Sequence, residues 1–190
     1  MDSYFLESQY PRSGFISGGT TFIPELDTNY LAVNDQLPDN TSAEVELLSS
    51  VRRLKVDYFE TITGTRVVSD AFKRLLEPFK TNVQFIPAVV RYHDARPVEQ
   101  TYWIAHLLEQ VDGFDYERSE YGRKKIIAAS VHQPPRKTVK VITRLVLDSD
   151  KIEGHHFFKL AYVSELKPII SSELYATCKK HKLKLHVTAI

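Results

Sequence analysis

The sequence has few of the residues that hold small secreted or metal-bound proteins together. Its one cysteine, Cys178, excludes an internal disulfide and a multi-cysteine zinc or iron–sulfur site. No stretch approaches the roughly 18 apolar residues of a membrane-spanning helix. The N-terminus has neither the basic nor the apolar region of a secretory signal. We therefore expect a cytoplasmic protein that needs no disulfide, cofactor, metal or membrane.

A net charge of one sign is also absent, because 25 Lys and Arg residues nearly balance 24 Asp and Glu residues. This balance argues against a protein that binds nucleic acid through bulk charge. The charges are nevertheless unevenly placed. Residues 1–50 contain one basic and eight acidic residues, whereas residues 124–190 contain thirteen basic and five acidic residues. An asymmetry of this kind is typical of interaction surfaces.

The length of 190 residues corresponds to one domain. Segments rich in β-branched and aromatic residues, such as Val83–Tyr92 and Gln100–Leu108, are separated by short turns, which predicts antiparallel strands. We therefore predict an α+β fold with a mostly antiparallel β-sheet, short flanking helices and an irregular N-terminal arm.

The N-terminal region differs from the rest in being rich in turn formers and poor in periodic segments. One short helix is predicted near Thr41–Leu48, because Thr41 and Glu44 have the spacing of a capping box. We divide the chain into an irregular acidic region, residues 1–60, and an α+β core, residues 61–190.

One internal repeat stands out, with an offset of 102 residues and no gap. The first copy is Val67, Val68, Ser69, Phe72, Leu76, Val83 and Phe85, and the second is Ile169, Ile170, Ser171, Leu174, Cys178, Leu185 and Val187. Each copy predicts a short strand, a serine that caps a short helix, and a returning strand. Neither serine has the glycine-flanked turn of a nucleophile, so we interpret both as caps.

The polar stretch from Asp112 to Ser119 offers the sharpest candidate chemistry. Asp112 and Asp115 are candidates for an acid–base pair or for ligands of a hard cation, and a small hydrolase or a modification-reversing enzyme would use them in that way. Because Asp112 is followed by Gly113, the same stretch suits a turn, which is the interpretation we prefer.

The segment Lys179–Lys184 is strongly basic and raises the alternative of a nucleic-acid adaptor. No RNA-recognition or helix-turn-helix motif accompanies it. The alternation of basic residues with Leu183 and Leu185 is typical of a half-buried edge strand. We therefore expect no nucleic-acid partner.

Short and mostly apolar motifs follow one another from Arg66 to the C-terminus. They are Val67-Val68-Ser69 with Phe72 and Leu76, Val83–Pro87, Tyr102–Ile104, Val111–Asp115 with Ser119, Phe157–Leu160 and Ile169–Ser171. In this order they resemble the bacterial immunity proteins of polymorphic toxin systems, and more narrowly immunity family eleven. One departure is Ala105-His106, where that family often has an asparagine. Residues 1–60 match the family poorly.

The resemblance implies a non-enzymatic protein that binds and occludes a cognate toxin, protecting the producing cell and its kin. It assigns no catalytic residue. Because the acidic region falls outside the resemblance, we expect partner contacts from its carboxylates, namely Asp27, Asp35, Asp39, Glu44 and Glu46. A second candidate contact set is the polar stretch, through Asp112, Asp115, Glu117 and Ser119. The sequence is also compatible with a homodimer.

Overall fold

The strands follow the segments rich in β-branched and aromatic residues, and two of the helices follow the two serines of the repeat. The computed structural model describes residues 3–7, 14–26, 35–127, 136–163 and 167–190. The strands are β1 (Ser3–Leu6), β2 (Ser17–Ile23), β3 (Ser42–Leu47), β4 (Tyr58–Glu60), β5 (Arg66–Ser69), β6 (Val83–Arg91), β7 (Tyr102–Leu107), β8 (Gln110–Val111), β9 (Glu120–Ile127), β10 (Arg136–Arg144), β11 (Phe157–Leu160), β12 (Ile169–Ser171) and β13 (Val187–Ala189). The helices are α1 (Asp70–Leu76), α2 (Ser149–Ile152) and α3 (Ser172–Lys180), and a 3-10 turn at Glu77–Phe79 follows α1.

Within the described ranges the strands form a six-stranded sheet, a five-stranded sheet and a separate hairpin. The six-stranded sheet has the order β2-β3-β6-β7-β5-β4, the five-stranded sheet has the order β13-β1-β12-β11-β8, and the hairpin pairs β9 with β10. β3 runs parallel to β6 and β11 runs parallel to β8, whereas the other neighbouring strands are antiparallel. The predicted α+β class with largely antiparallel pairing is confirmed.

The predicted repeat is confirmed in both helix caps. The Ser69 hydroxyl oxygen accepts the Phe72 backbone N–H at 3.1 Å, at the start of α1. The Ser171 hydroxyl oxygen accepts the Leu174 backbone N–H at 3.1 Å, at the start of α3. Both serines have an extended backbone, with φ near −70° and ψ near 158°. Each therefore satisfies a donor that the first helical turn leaves without a partner.

The repeat extends further than its sequence signature, into the strands beside it. In the first unit (β4, β5, α1, β6 and β7), β7 lies between β5 and β6 and pairs with both. In the second unit (β11, β12, α3, β13 and β1), β1 takes the same place between β12 and β13. The register agrees as well. Ile104 pairs with Val67 and Ile86, and Phe5 pairs with Ile169 and Thr188, which lie 102 residues after them. The N-terminal strand thus completes a unit whose other strands come from the C-terminal part of the chain.

The two units share one hydrophobic core, and equivalent residues meet in it. Phe72 and Leu76 of α1 and Leu174 and Cys178 of α3 are all at most 1% exposed. The remaining buried members come from both sheets and are Leu6, Tyr58, Val68, Ala105, Leu107, Phe157 and Ile170. Burial also raises the pKa of the Cys178 thiol to about 12, so this cysteine is an inert core residue.

The prediction of a helix near Thr41–Leu48 is wrong, because this segment forms β3. Ala43, Val45 and Leu47 are buried and alternate with exposed Glu44 and Glu46, which is the period of a half-buried strand. The alternation and the parallel pairing of β3 with β6 override the local capping signal.

The N-terminal acidic region is more regular than the sequence suggests. It contributes β1 to the five-stranded sheet and β2, β3 and β4 to the six-stranded sheet. The division of the chain at residue 60 stays a prediction, although strands from both sides of it share the same sheets. No helix in the described part of the chain is both long enough and apolar enough to cross a bilayer.

Candidate functional site

Asp115 holds a turn between β8 and β9. Its carboxylate accepts the backbone N–H groups of Glu117 at 3.0 Å and Arg118 at 2.8 Å, together with the Arg118 Nε–H. These hydrogen bonds, led by the one from the Arg118 backbone, lower the pKa of Asp115. A carboxylate stabilised in its ionised form is a poor general acid, and this geometry supports the turn interpretation.

Ser119 is also part of this turn, and it is buried. Its hydroxyl donates to the Val146 carbonyl oxygen at 3.1 Å and accepts the Val146 backbone N–H at 2.9 Å. The two bonds tie the turn to the segment after β10. Asp112 and Glu117 are exposed on the same turn. The structure therefore leaves Asp112 and Glu117 accessible for contacts and gives Asp115 and Ser119 structural bonds.

The acidic residues of the N-terminal region do not form one cluster. Asp27 lies outside the described residues. Asp35 and Asp39 are exposed in the connection before β3, and the Asp35 backbone carbonyl contacts the His106 Nε2 at 2.9 Å. Glu44 and Glu46 lie on the solvent face of β3. Glu44 and Glu46 line the same surface cavity.

That cavity, which we call the β3 groove, is an open groove of about 630 Å³ over β2, β3 and the end of β6. Its charges are mixed. Glu46 contacts the His93 imidazole at 2.8 Å, and Glu44 lies 3.9 Å from the Arg91 guanidinium. The face of β3 also carries apolar surface beside it, because Glu44 pairs with Val89, which is 44% exposed.

A second and larger groove lies beyond Tyr92, whose side chain borders both. This basic groove, of about 660 Å³, is formed by the segment before β4, the loop between β6 and β7, and the loop between α3 and β13. Six of its lining residues are cationic and two are acidic. The cations are Arg52, Arg53, Lys55, Arg96, Lys182 and Lys184, and the carboxylates are Asp57 and Glu99.

The walls of the basic groove are fixed by hydrogen bonds. The Tyr92 hydroxyl accepts the Leu54 backbone N–H at 3.1 Å. The Asp57 carboxylate accepts the Ser69 hydroxyl at 2.6 Å and the Lys184 backbone N–H at 2.7 Å. These bonds join loops that are far apart in the chain. The groove is therefore a built feature of the fold, and the cations project from anchored backbone.

Sequence reasoning missed this groove, because its cations come from three distant segments. The contacts expected from the sequence were mostly acidic residues. Lys182 and Lys184 were considered only as part of the basic segment Lys179–Lys184. The one local signal was the run from Arg52 to Lys55, which has three cations in four residues. Hydrogen bonds between Asp57 and the Lys184 backbone place that run beside the α3–β13 loop, and the sequence alone does not show them.

A third group of ionisable residues is buried between the sheets and serves the fold. Arg66 contacts the Glu60 carboxylate at 3.5 Å, and the Tyr58 hydroxyl donates to the same carboxylate at 2.6 Å. Burial, together with the charge of Arg66, lowers the pKa of Lys159 to about 8. Burial likewise lowers the pKa of His106. No surface cavity described above is lined by these side chains.

The chain matches a model of a known protein family. Residues 11–185 match the family described as Immunity protein family (Imm11). No curated protein matches the chain. The match begins at residue 11, far before Arg66, where the motif resemblance begins, so it includes most of the acidic region. That region is therefore part of what the chain has in common with the family.

Proposed function

The chain belongs to the Imm11 immunity protein family, and we propose that it neutralises a cognate bacterial toxin by binding it and covering its active surface, without chemistry of its own. Membership of this family implies toxin neutralisation, and the match over most of the chain is the observation that carries the proposal. The family is typically non-enzymatic. We place the action in the cytoplasm, in keeping with a single cysteine that is buried and free.

The structure supports binding over catalysis at the residues that were candidates for chemistry. An acid–base pair at Asp112 and Asp115 would need one carboxyl with a raised pKa in a cleft. The pKa of Asp115 is lowered instead, and its oxygens are occupied by Glu117 and Arg118. No observation favours the hydrolase alternative, so we do not carry it further.

The β3 groove is the part of the acidic region that we propose as a toxin contact. Exposed Glu44 and Glu46 line this groove, and exposed Val89 lies opposite Glu44 on β6. Asp35 and Asp39 lie in the connection that leads to β3. Exposed charges beside an apolar side chain suit the rim of an interface, and a typical interface buries about 1,600 Å² in total. Asp27, Asp112, Asp115, Glu117 and Ser119 remain proposed contacts from the sequence alone.

Co-expression with the cognate toxin tests the proposal. We expect survival of the producing cell and a stoichiometric complex on size-exclusion chromatography. The variant pair Glu44→Lys and Glu46→Lys should slow association about tenfold at low salt, since interface charges mainly set the association rate. The pair Asp150→Lys and Glu153→Lys, at exposed positions in and just after α2, reverses the same number of charges and is the matched control. Survival without any complex would contradict occlusion.

A further inference from the structure

We propose that the basic groove binds an acidic peptide segment of the toxin, as a second contact beside the β3 groove. This inference rests on the proposed function. It names the chemistry of one part of the partner, a short run of Asp or Glu side chains. The argument has three steps, from the charges of the groove, from its counterpart in the second unit, and from the composition of its walls.

The cations of the groove are available for a partner. Arg52, Arg53 and Lys55 are exposed, and in the described part of the chain no carboxylate lies within 4.0 Å of them. The carboxylate of Asp57, by contrast, already accepts hydrogen bonds from the groove walls. Arg96 already forms an ion pair, because its Nε lies 2.8 Å from the Asp94 carboxylate. The groove therefore presents more positive charge than its own carboxylates neutralise.

The repeat gives the basic groove an equivalent cleft elsewhere in the molecule. A comparison of the two indicates which of the groove's cations the fold needs. Lys182 of the groove is the equivalent of Lys80, 102 residues earlier, and both have a left-handed backbone, with φ of 59° and 50°. Asp57 is the equivalent of His156, since each precedes the strand that pairs with the first strand of the repeat. The counterpart cleft beside Lys80 and His156 is smaller, about 360 Å³, and among the residues that the structure describes Lys80 is its one lysine or arginine.

The other cations are thus additions to the repeated architecture. Arg52, Arg53 and Lys55 lie before β4, and Arg96 lies in the loop between β6 and β7, so none of them belongs to the repeat signature. Lys184 lies within the second copy, but the first copy has Asn82 at the equivalent position. The counterpart cleft folds with a single lysine. The repeated fold therefore does not require a cluster of cations at this place. Binding of an anionic ligand would explain the cluster.

The walls favour a peptide over a nucleic acid. Leu54, Pro97 and Val98 line the groove beside the cations, together with the Tyr92 side chain. Arginines pair with carboxylates through two parallel hydrogen bonds, and the apolar walls suit the aliphatic stems of acidic side chains. Single-stranded nucleic acid is held by several stacked aromatic rings along a basic track. Within the described part of the chain, Tyr92 is the one aromatic residue of this lining. The whole chain also carries a net charge of only +1.

A labelled hexaglutamate peptide is the first probe, with binding followed by fluorescence anisotropy at low salt. We expect the full chain to bind it, and the pair Arg52→Glu and Arg53→Glu to weaken binding about tenfold or more. Lys182→Glu should weaken binding from the opposite wall, whereas the matched control Lys80→Glu should leave it unchanged. Equal effects of Lys182→Glu and Lys80→Glu, or tighter binding of a single-stranded oligonucleotide than of the peptide, would overturn the inference.

The same variants in the toxin complex separate this inference from the proposed function. We expect Arg52→Glu with Arg53→Glu to slow association with the toxin about tenfold. The association rate of this variant should also depend less on salt concentration than that of the parent. Association equal to the parent would refute the groove while leaving toxin neutralisation intact. Absence of any complex with the parent chain would instead refute the proposed function. Unchanged circular dichroism of each variant ensures that loss of binding is not loss of fold.

Discussion

The first and second units of this protein have the same arrangement of strands and helix but are assembled differently from the chain. The first unit is continuous, from β4 to β7. The second is completed by β1, which pairs with β12 and β13 more than 160 residues away in sequence. The comparison shows that one structural unit tolerates two connections, and that the N-terminal strand is as much a part of the second unit as its helix is.

The units also differ in what surrounds the same capping serine. Ser69 donates to the carboxylate of Asp57, at the edge of the basic groove, whereas Ser171 contacts the imidazole of His156 at 2.9 Å. His156 lies against the ring of Phe79 in the smaller cleft. The repeat therefore provides a constant scaffold, and the residues outside it turn one of the two equivalent places into a charged groove.

The largest expected effect comes from opening the shared core. Phe72→Ala should cost about 4 kcal/mol and Leu174→Ala about 3 kcal/mol, because both side chains are fully buried and leave cavities. Since the two helices contribute to one core, each variant should lower the urea midpoint seen by circular dichroism and by Trp103 fluorescence equally. Trp103 is the single tryptophan and lies in the first unit. Leu174→Ala that leaves the Trp103 transition in place would show that the units unfold separately.

The next effect concerns a pair of equivalent buried positions with opposite charge. Glu60 in β4 and Lys159 in β11 are equivalent, because Tyr58 pairs with Val68 and Phe157 pairs with Ile170. Glu60 has Arg66 beside it, whereas the pKa of Lys159 falls from 10.5 to about 8 because burial and the Arg66 charge both oppose its protonation. We expect Lys159→Met to stabilise the protein at pH 7 by up to about 3 kcal/mol.

The sign of the pH dependence follows from the lowered pKa of Lys159. Between about pH 8 and pH 10.5 the unfolded chain holds a proton that the folded chain has released, so the free energy of unfolding rises with pH in this window. Below about pH 8 both states are protonated and the dependence ends. The advantage of Lys159→Met should therefore shrink from pH 7 to pH 10 in urea titrations. An advantage that stays constant over this range would contradict the assignment.

The sequence foretold the repeated helices better than the strands that complete them. Ser69 and Ser171 were identifiable as caps because a serine before an apolar i, i+4 pair is a local signal. The place of β1 was not readable, since its pairing with β12 joins the two ends of the chain. Thr41–Leu48 was assigned to a helix because a local capping spacing was preferred to the alternation of Ala43, Val45 and Leu47.

The candidate site shows the same division between local and long-range signals. The turn at Asp115 was predicted because an Asp-Gly pair marks it in the sequence, and the accessibility of Glu44 and Glu46 follows from strand alternation. The basic groove was not predicted, because Arg52, Arg96 and Lys182 become neighbours only through the packing of three loops. The sequence showed how the charge changes along the chain, but it did not show which charged residues are neighbours on the surface.

A smaller difference between the units is expected at the two capping serines. Ser171→Ala should cost about 1 kcal/mol, the usual value of a helix cap. Ser69→Ala should cost about 2 kcal/mol, because its hydroxyl also donates to the charged carboxylate of Asp57. Urea titrations of both variants at pH 7 measure the difference. Equal losses would mean that the Asp57 contact of Ser69 contributes no more than the His156 contact of Ser171.

The smallest effect tests whether the two equivalent lysines differ in stability or only in binding. Lys80 and Lys182 have left-handed backbones, which glycine adopts without strain. Lys80→Gly and Lys182→Gly should therefore change the free energy of unfolding by the same small amount, about 0.5 kcal/mol in favour of folding, because glycine loses part of the gain as chain entropy. Calorimetric melting of both variants checks this. Because only Lys182 lines the basic groove, affinity for the hexaglutamate peptide should fall in Lys182→Gly alone. If the two variants are equally stable but only Lys182→Gly loses affinity for the peptide, the charge of Lys182 serves binding. Equal affinities of the two variants would mean that Lys182, like Lys80, serves only the fold that both units share.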